Sequence, residues 1–430
     1  MGYDTQHYNL DQKFVFTNAT KKSIITVLII GSALLTIGIL IGIFGNNHEE
    51  GVEAGSHTFH WYERLYANLW INNVYFTGIA IIGVFFFSLQ YAAQAGWSAP
   101  LVRIMLSLGN WLPYAGVLMI TSFFLVNHEL FHWTHSYLFD KASPQYDKII
   151  DGKGAFFYWP MAKGTFPIFY IFRMVLFFGF WVFFFNKLKN LSYAEDSLGG
   201  STSWYKIRAM SALFIIFFAV SSSIAAWDWI MSIDTHWFST LFGWYVFSSW
   251  FVAGLSAMTL ITIFLKGQGY LEMVNENHIH DLGKFVFGFT VFWTYLWFSQ
   301  FLLIYYANIP EESVYFLERL SSDVYGPFIF VNIGLNFVLP FLVLMTRDSK
   351  RHGIFLKLVC SLIIVGHWVD FFLMVQPGTL GSDGGVGFME VGMFLVYGSG
   401  MAFVVLGGLA KGNLIPKNHP MLEESFHHHI

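Results

Sequence analysis

The densest group of residues able to do chemistry is Asn127-His128-Glu129-Leu130-Phe131-His132-Trp133-Thr134-His135. At about 100° per residue, His128, His132 and His135 share one helical face, and three imidazoles on one face could bind a metal. The string also fits HExxH, in which two histidines hold zinc and the glutamate, here Glu129, activates water; a membrane metalloprotease would use it so. Asp151, in the segment that follows, could supply a third ligand. Against this, the pattern has three fixed positions in a chain with 16 histidines, and no HxxGxxH extension follows. A hydrogen-bonded histidine cluster at an interface is the simpler expectation, with no metal bound by this chain.

Asp228 and Asp370 fall inside apolar runs, where a charge costs about 2.5 to 3.5 kcal/mol at the centre of a span. Asp228 stands with Asp234 and His236 in WDWIMSIDTHW, a set that could exchange protons; Asp228 could equally pair with Arg173 or cap a helix. His367 and Asp370 are three residues apart on one helical face, so that the carboxylate can hold the imidazole or relay a proton with it. A satisfied polar contact that fixes bundle packing is the alternative. Gln300, Asn332 and Asn336 extend a secondary polar track, although amides relay protons only through ordered water. His367 is the one histidine deep in a run, so bis-histidine haem lacks a partner at matching depth.

The elements that carry these residues are membrane spans. The chain is 55% hydrophobic and 12% charged, too little charge for a water-facing surface. Runs of about 20 apolar residues fall near 23–45, 69–92, 101–127, 166–187, 207–230, 237–265, 283–307, 325–346, 354–376 and 386–410. The expected fold is an all-α polytopic membrane protein of ten helices, with a transmembrane domain over 23–410 between an N-terminal segment, 1–22, and a C-terminal tail, 411–430. Trp and Tyr gather near the ends of the runs as interface anchors. Acids in corresponding places on the fifth and ninth spans, each near an outer membrane end, suggest parallel repeats: spans two to five and six to nine as four-helix bundles, flanked by one and ten.

Sixteen of the 23 Lys and Arg residues fall on the side of the termini, which places both termini in the cytoplasm. The long connection over 128–165 is then external and could dock another subunit. Residues 194–204 make a flexible polar inner loop, and FHHHI at the C-terminus has no assigned role. A net charge of -4 leaves no basic stripe for nucleic acid. The single Cys360 excludes an intramolecular disulfide, a Cys-ligated iron–sulfur cluster and CxxCH haem attachment.

Four stretches carry a resemblance: 208–218 (RAMSALFIIFF), 225–245 (AAWDWIMSIDTHWFSTLFGWY), 275–284 (NENHIHDLGK) and 292–312 (FWTYLWFSQFLLIYYANIPEE). Together they resemble the smaller NrfD-like membrane subunits of bacterial alternative complex III, through most of the membrane region. The resemblance implies a respiratory quinol:cytochrome c oxidoreductase in the bacterial cytoplasmic (inner) membrane, and ten helices in two four-helix bundles. It implies as partners a homologous larger NrfD-like quinol-binding subunit, multihaem cytochrome c subunits and an iron–sulfur subunit, beside membrane lipids. Haem c and iron–sulfur clusters would sit on those partners and quinol or quinone in the complex, with no cofactor held by this chain. Anchoring the redox subunits and a proton path through Asp228, Asp234, His236, His367, Asp370 and the His128, Glu129, His132 group is the expected role. A quinone pocket of its own is the alternative, and the HExxH protease a remote one.

Overall fold

A computed structural model describes residues 9–45 and 60–429. Ten of its helices are long and apolar enough to cross a membrane: α1 Asn18–Gly45, α2 Trp61–Ala92, α3 Gly96–Leu130, α4 Ile168–Leu198, α5 Thr202–Met231, α6 Phe242–Gly267, α7 Glu276–Ala307, α8 Gly326–Leu344, α9 Gly353–Asp383 and α10 Phe388–Leu409. Among the described residues there is no strand, only one isolated bridge between Lys13 and Asn413. In a bilayer the backbone must satisfy its own N–H and C=O groups, which continuous helix does. Exposed Ile25, Ile29, Leu213, Ile216, Val220, Leu303 and Leu358 clothe the outside in apolar atoms, as lipid contact requires. The chain is an all-α multi-pass membrane protein.

Helices α2, α3, α4 and α5 pack in a closed ring, each on the next and α5 back on α2; α6, α7, α8 and α9 form a second such ring. α2 also lies against α6 and α9, so the two four-helix bundles share a seam along it. α1 packs mainly on α10. Small residues permit that approach: a Cβ on Gly31 would stand 3.0 Å from the backbone N of Val396, and one on Gly38 2.9 Å from Cβ of Met389.

Most helices outrun their apolar windows, because charges that end a hydropathy window are paired in space. Arg64 holds Glu390 at 2.6 Å, Arg103 holds Asp196 at 2.7 Å and Lys284 holds Asp281 at 2.5 Å. The expected loop at 194–204 is correspondingly short: α4 runs to Leu198, α5 begins at Thr202, and Glu195 is buried. A bridge of Arg103 to the carbonyls of Asn413 (2.8 Å) and Ile415 (3.3 Å) draws the C-terminal tail under the bundles. His428 of the FHHHI end has a place there; Ile430 lies outside the described residues. His428 Nε2 meets Asp281 at 2.7 Å, and its carbonyl accepts from Asn275 (3.1 Å) and Asn277 (3.0 Å). The face carrying this tail is called the terminal face below, and the opposite one the distal face.

Candidate functional site

Asp370 is fully buried and receives four donors from three helices. From α6, the Tyr245 hydroxyl donates to Oδ1 and the Ser249 hydroxyl to Oδ2 at 2.9 Å. From α7, the Trp293 indole N–H donates to Oδ2 at 2.9 Å; from α8, the Asn332 amide donates to Oδ1 at 2.9 Å. Two donors per oxygen occupy the lone-pair sites of an ionised carboxylate. The Asn332 carbonyl in turn accepts from the Asn336 amide at 2.6 Å. Asn336 lies in a π-helical segment of α8, Gly334–Val338, whose wider turn re-aims the side chains around it.

His367 joins through a hydroxyl rather than directly. Its Nδ1 is 2.9 Å from Ser249 Oγ and 3.9 Å from Asp370 Oδ2. Because Ser249 donates to Asp370, it accepts from Nδ1–H, which fixes the tautomer by inference and leaves Nε2 as the bare nitrogen. That Nε2 is buried and finds no partner among the described residues. His367–Ser249–Asp370 is therefore a two-step path along which a proton can hop.

On the distal side of Asp370 a cavity of about 20 Å³ is lined by Tyr245, Gln300, Tyr315, Arg319 and Asn332. One water needs about 10–15 Å³, whereas a small-molecule pocket takes about 300–1,000 Å³. The space thus suits a water and not a quinone ring. Gln300 offers an amide nitrogen there without a protein partner among the described residues. Beyond it, Arg319 lies flat on the Tyr315 ring, 3.4 Å from its centroid. Arg319 donates to Asp234 at 2.9 Å and to the carbonyls of Leu373 (2.8 Å) and Met374 (3.1 Å). The Leu373 carbonyl is available because Pro377, inside α9, has no N–H to give it. Burial pushes the Tyr315 phenol up, so it stays a neutral donor.

Asp228 is set differently. It lies in a π-helical segment, Trp227–Met231, at the distal end of α5 and takes a bidentate pair from Arg173 of α4, Nε at 2.7 Å and Nη2 at 2.8 Å. Arg173 also donates to the Phe156 carbonyl at 2.7 Å and packs on the Phe156 ring. The Trp229 carbonyl of the π turn accepts from the Trp70 indole at 2.7 Å. In both bundles the acid on the fourth helix takes a donor from the start of the third, Arg173 on α4 and Asn332 on α8.

Two placements differ from expectation. The α-helical part of α9 ends at Leu380, 10 residues or about 15 Å beyond the acid; Asp370 sits in mid-helix while Asp228 sits at a helix end. The Asp228, Asp234 and His236 set is also dispersed: Asp228 binds Arg173, Asp234 binds Arg319, and the exposed His236 meets Asp147 at 2.6 Å. Burial works against the charge on Asp147, but the N–H groups of Ile150 and Ile149 and His236 outweigh it and hold its carboxyl below the usual range.

The His128 group does not share a helical face. α3 ends at Leu130, Phe131 is extended, and His132–Thr134 is a separate 3-10 turn. His128 and His135 sit edge to face 5.7 Å apart, and His135 Nδ1 bonds to the His132 carbonyl at 3.0 Å. Burial, then the neighbouring His135, holds His132 below the ordinary histidine value. His128 and Glu129 are exposed. Asp151 is engaged elsewhere, by Lys163 at 2.7 Å and Tyr146 at 2.9 Å. Among the described residues no group of three His, Cys, Asp or Glu side chains is placed to hold a metal ion. An HExxH zinc site needs both histidines on one helix, and here the helix stops between them.

Sequence reasoning missed Tyr245, Ser249, Trp293 and Arg319, which ring Asp370 or link it outward. No family model matches the chain, and no curated protein matches it.

Proposed function

We propose that this chain is the smaller NrfD-like membrane subunit of a bacterial quinol:cytochrome c oxidoreductase of the alternative complex III type, in the inner membrane with both termini cytoplasmic. In that role it anchors the redox subunits, and Asp370 is the proton-exchanging group linked to quinol oxidation. The observation that carries the proton role is the four-donor ring around Asp370, joined to His367 through Ser249 and opening distally on a cavity of water size. The membership rests on the four resembling stretches; haem c, iron–sulfur clusters and quinol are assigned to the other subunits.

Asp370 would hold a proton at Oδ1 or Oδ2 when one of its donors swings away; the Tyr245 and Ser249 hydroxyls can rotate without moving a helix. Ser249 would pass the proton between His367 and Asp370, and the cavity water would carry it toward Arg319 and Asp234 on the distal side. The guanidinium at the exit holds an anionic Asp234 in place to receive it. A quinone site of its own is not favoured: the polar cavity is too small, and the larger cavity of the chain, described below, has no acid or histidine in its lining.

The test is Asp370→Asn in the assembled complex, reconstituted in vesicles. Proton release per electron is expected to fall while the quinol KM stays within about two-fold. A KM raised about ten-fold with proton release intact would overturn the assignment in favour of a quinone pocket.

A further inference from the structure

α1 rests on α10 and α2 and stands off from α6, and the gap is a cavity of about 690 Å³. Its polar lining is confined to one end, at the terminal face: Thr17, Thr20 and Ser23 of the α1 start and Gln268 at the α6 end. From there the wall is apolar, from Leu406 back to Phe394 on α10, which is 12 residues or about 18 Å. That depth is close to one leaflet, half of a hydrocarbon core of about 30 Å. The N-terminal segment closes the end beneath, with Phe14 packed edge-on against Phe264 and Tyr270. Lys21 and Lys22 follow Thr20 in sequence but do not line the cavity, the Lys21 ammonium lying 5.2 Å from the Phe16 ring centroid, within a side chain's swing of the mouth; the N-terminus of the 28-residue α1 adds its positive dipole end.

We propose that this cavity is a binding site for one membrane phospholipid with an anionic headgroup, its acyl chain running along α10 and its phosphate at Thr17, Thr20 and the Lys21–Lys22 pair. An amphiphile one leaflet long, polar and negative at one end only, matches the lining. The lipid fills the space between α1 and the second bundle and so fixes the flanking α1–α10 pair to the core. This site is separate from Asp370 and stands whether or not the proton assignment does.

The experiment is native mass spectrometry of the full chain, purified in mild detergent and delipidated, then titrated with dioleoyl phosphatidylglycerol, dioleoyl phosphatidylcholine or ubiquinone in separate arms. One phosphatidylglycerol per chain is expected, bound about ten-fold more tightly than phosphatidylcholine. Ala402→Phe, which fills the cavity, should weaken binding at least about ten-fold. Lys21→Gln with Lys22→Gln should remove the headgroup preference while keeping the lipid. Ala257→Leu, a milder filling change, carries the comparison if Ala402→Phe does not fold. Equal phospholipid binding by the wild type and the filling variant that folds would overturn the proposal. So would tighter binding of ubiquinone, or a cross-link in native membranes from Ala402 to a helix of another subunit.

Discussion

Replacing Asp370 by Asn changes one carboxylate oxygen into an NH2 group and little else in shape, so its cost is a hydrogen-bonding cost. Oδ1 takes Tyr245 and Asn332, and Oδ2 takes Ser249 and Trp293. If the new NH2 replaces Oδ2, the Ser249 hydroxyl can turn to accept from it and give its proton to His367 Nδ1, once the imidazole proton has moved to Nε2. The Trp293 indole is a donor only and is left facing a donor. If the NH2 replaces Oδ1, Tyr245 can turn, but Asn332 is stranded because its own carbonyl already serves Asn336. Either way one buried donor loses its acceptor, at about 1–3 kcal/mol. Trp293→Phe removes the stranded donor of the first arrangement, so Asp370→Asn should cost much less in that background. Unfolding of the purified chain in a denaturing-detergent titration measures the two single changes and the double change. A positive coupling of about 1–3 kcal/mol is expected. Additive costs, or an Asp370→Asn protein as stable as the wild type, would refute the four-donor ring.

Further expectations concern other parts of the molecule. Arg173→Met leaves buried Asp228 without its partner and should cost about 3–5 kcal/mol, with most of it recovered by adding Asp228→Leu; the same unfolding titration reads both. His419 on the docked tail accepts from the Met421 N–H at 3.2 Å, and burial, with Arg103 nearby, lowers its pKa to about 4. Its unfolded value is about 6.5, so docking is fully stabilised above that pH and weakens as pH falls toward about 4, by up to about 3 kcal/mol. The protection factors for amide exchange over 411–429, taken against the intrinsic rate at each pH, should therefore fall between pH 7 and pH 5 and lose that pH dependence in His419→Gln; unchanged protection factors would contradict it. His128→Ala should leave zinc content unchanged in elemental analysis, since α3 stops before His132.

The ten spans were legible because about 20 consecutive apolar residues leave little choice in a bilayer. Their ends were less so. Asp196 and Asp281 look like the limits of a span until their partners are seen, Arg103 for Asp196 and, 147 residues away, His428 for Asp281. The Asp370 site was half legible. His367, Asp370 and the Asn332–Asn336 pair have local helical spacing, but Tyr245 and Trp293 reach Asp370 across 125 and 77 residues, and no local pattern encodes that. Arg173 was weighed as a partner of Asp228 and is one. The shared face of His128, His132 and His135 followed from helical periodicity, and failed because nothing in Leu130-Phe131-His132 signals a break; no Pro or Gly marks it. The dispersal of Asp234 and His236 follows from partners on other elements, Arg319 and Asp147, with Gly378 giving Asp234 the room it needs on α9.

Membership of a quinol:cytochrome c oxidoreductase is tested most directly by affinity purification of the tagged chain from mildly solubilised native membranes. Partner identities and haem, iron and zinc content are read together. Co-purification with a larger homologous membrane subunit, multihaem cytochrome c subunits and an iron–sulfur subunit is the expected result. Recovery of the chain alone, without haem and with stoichiometric zinc, would contradict it.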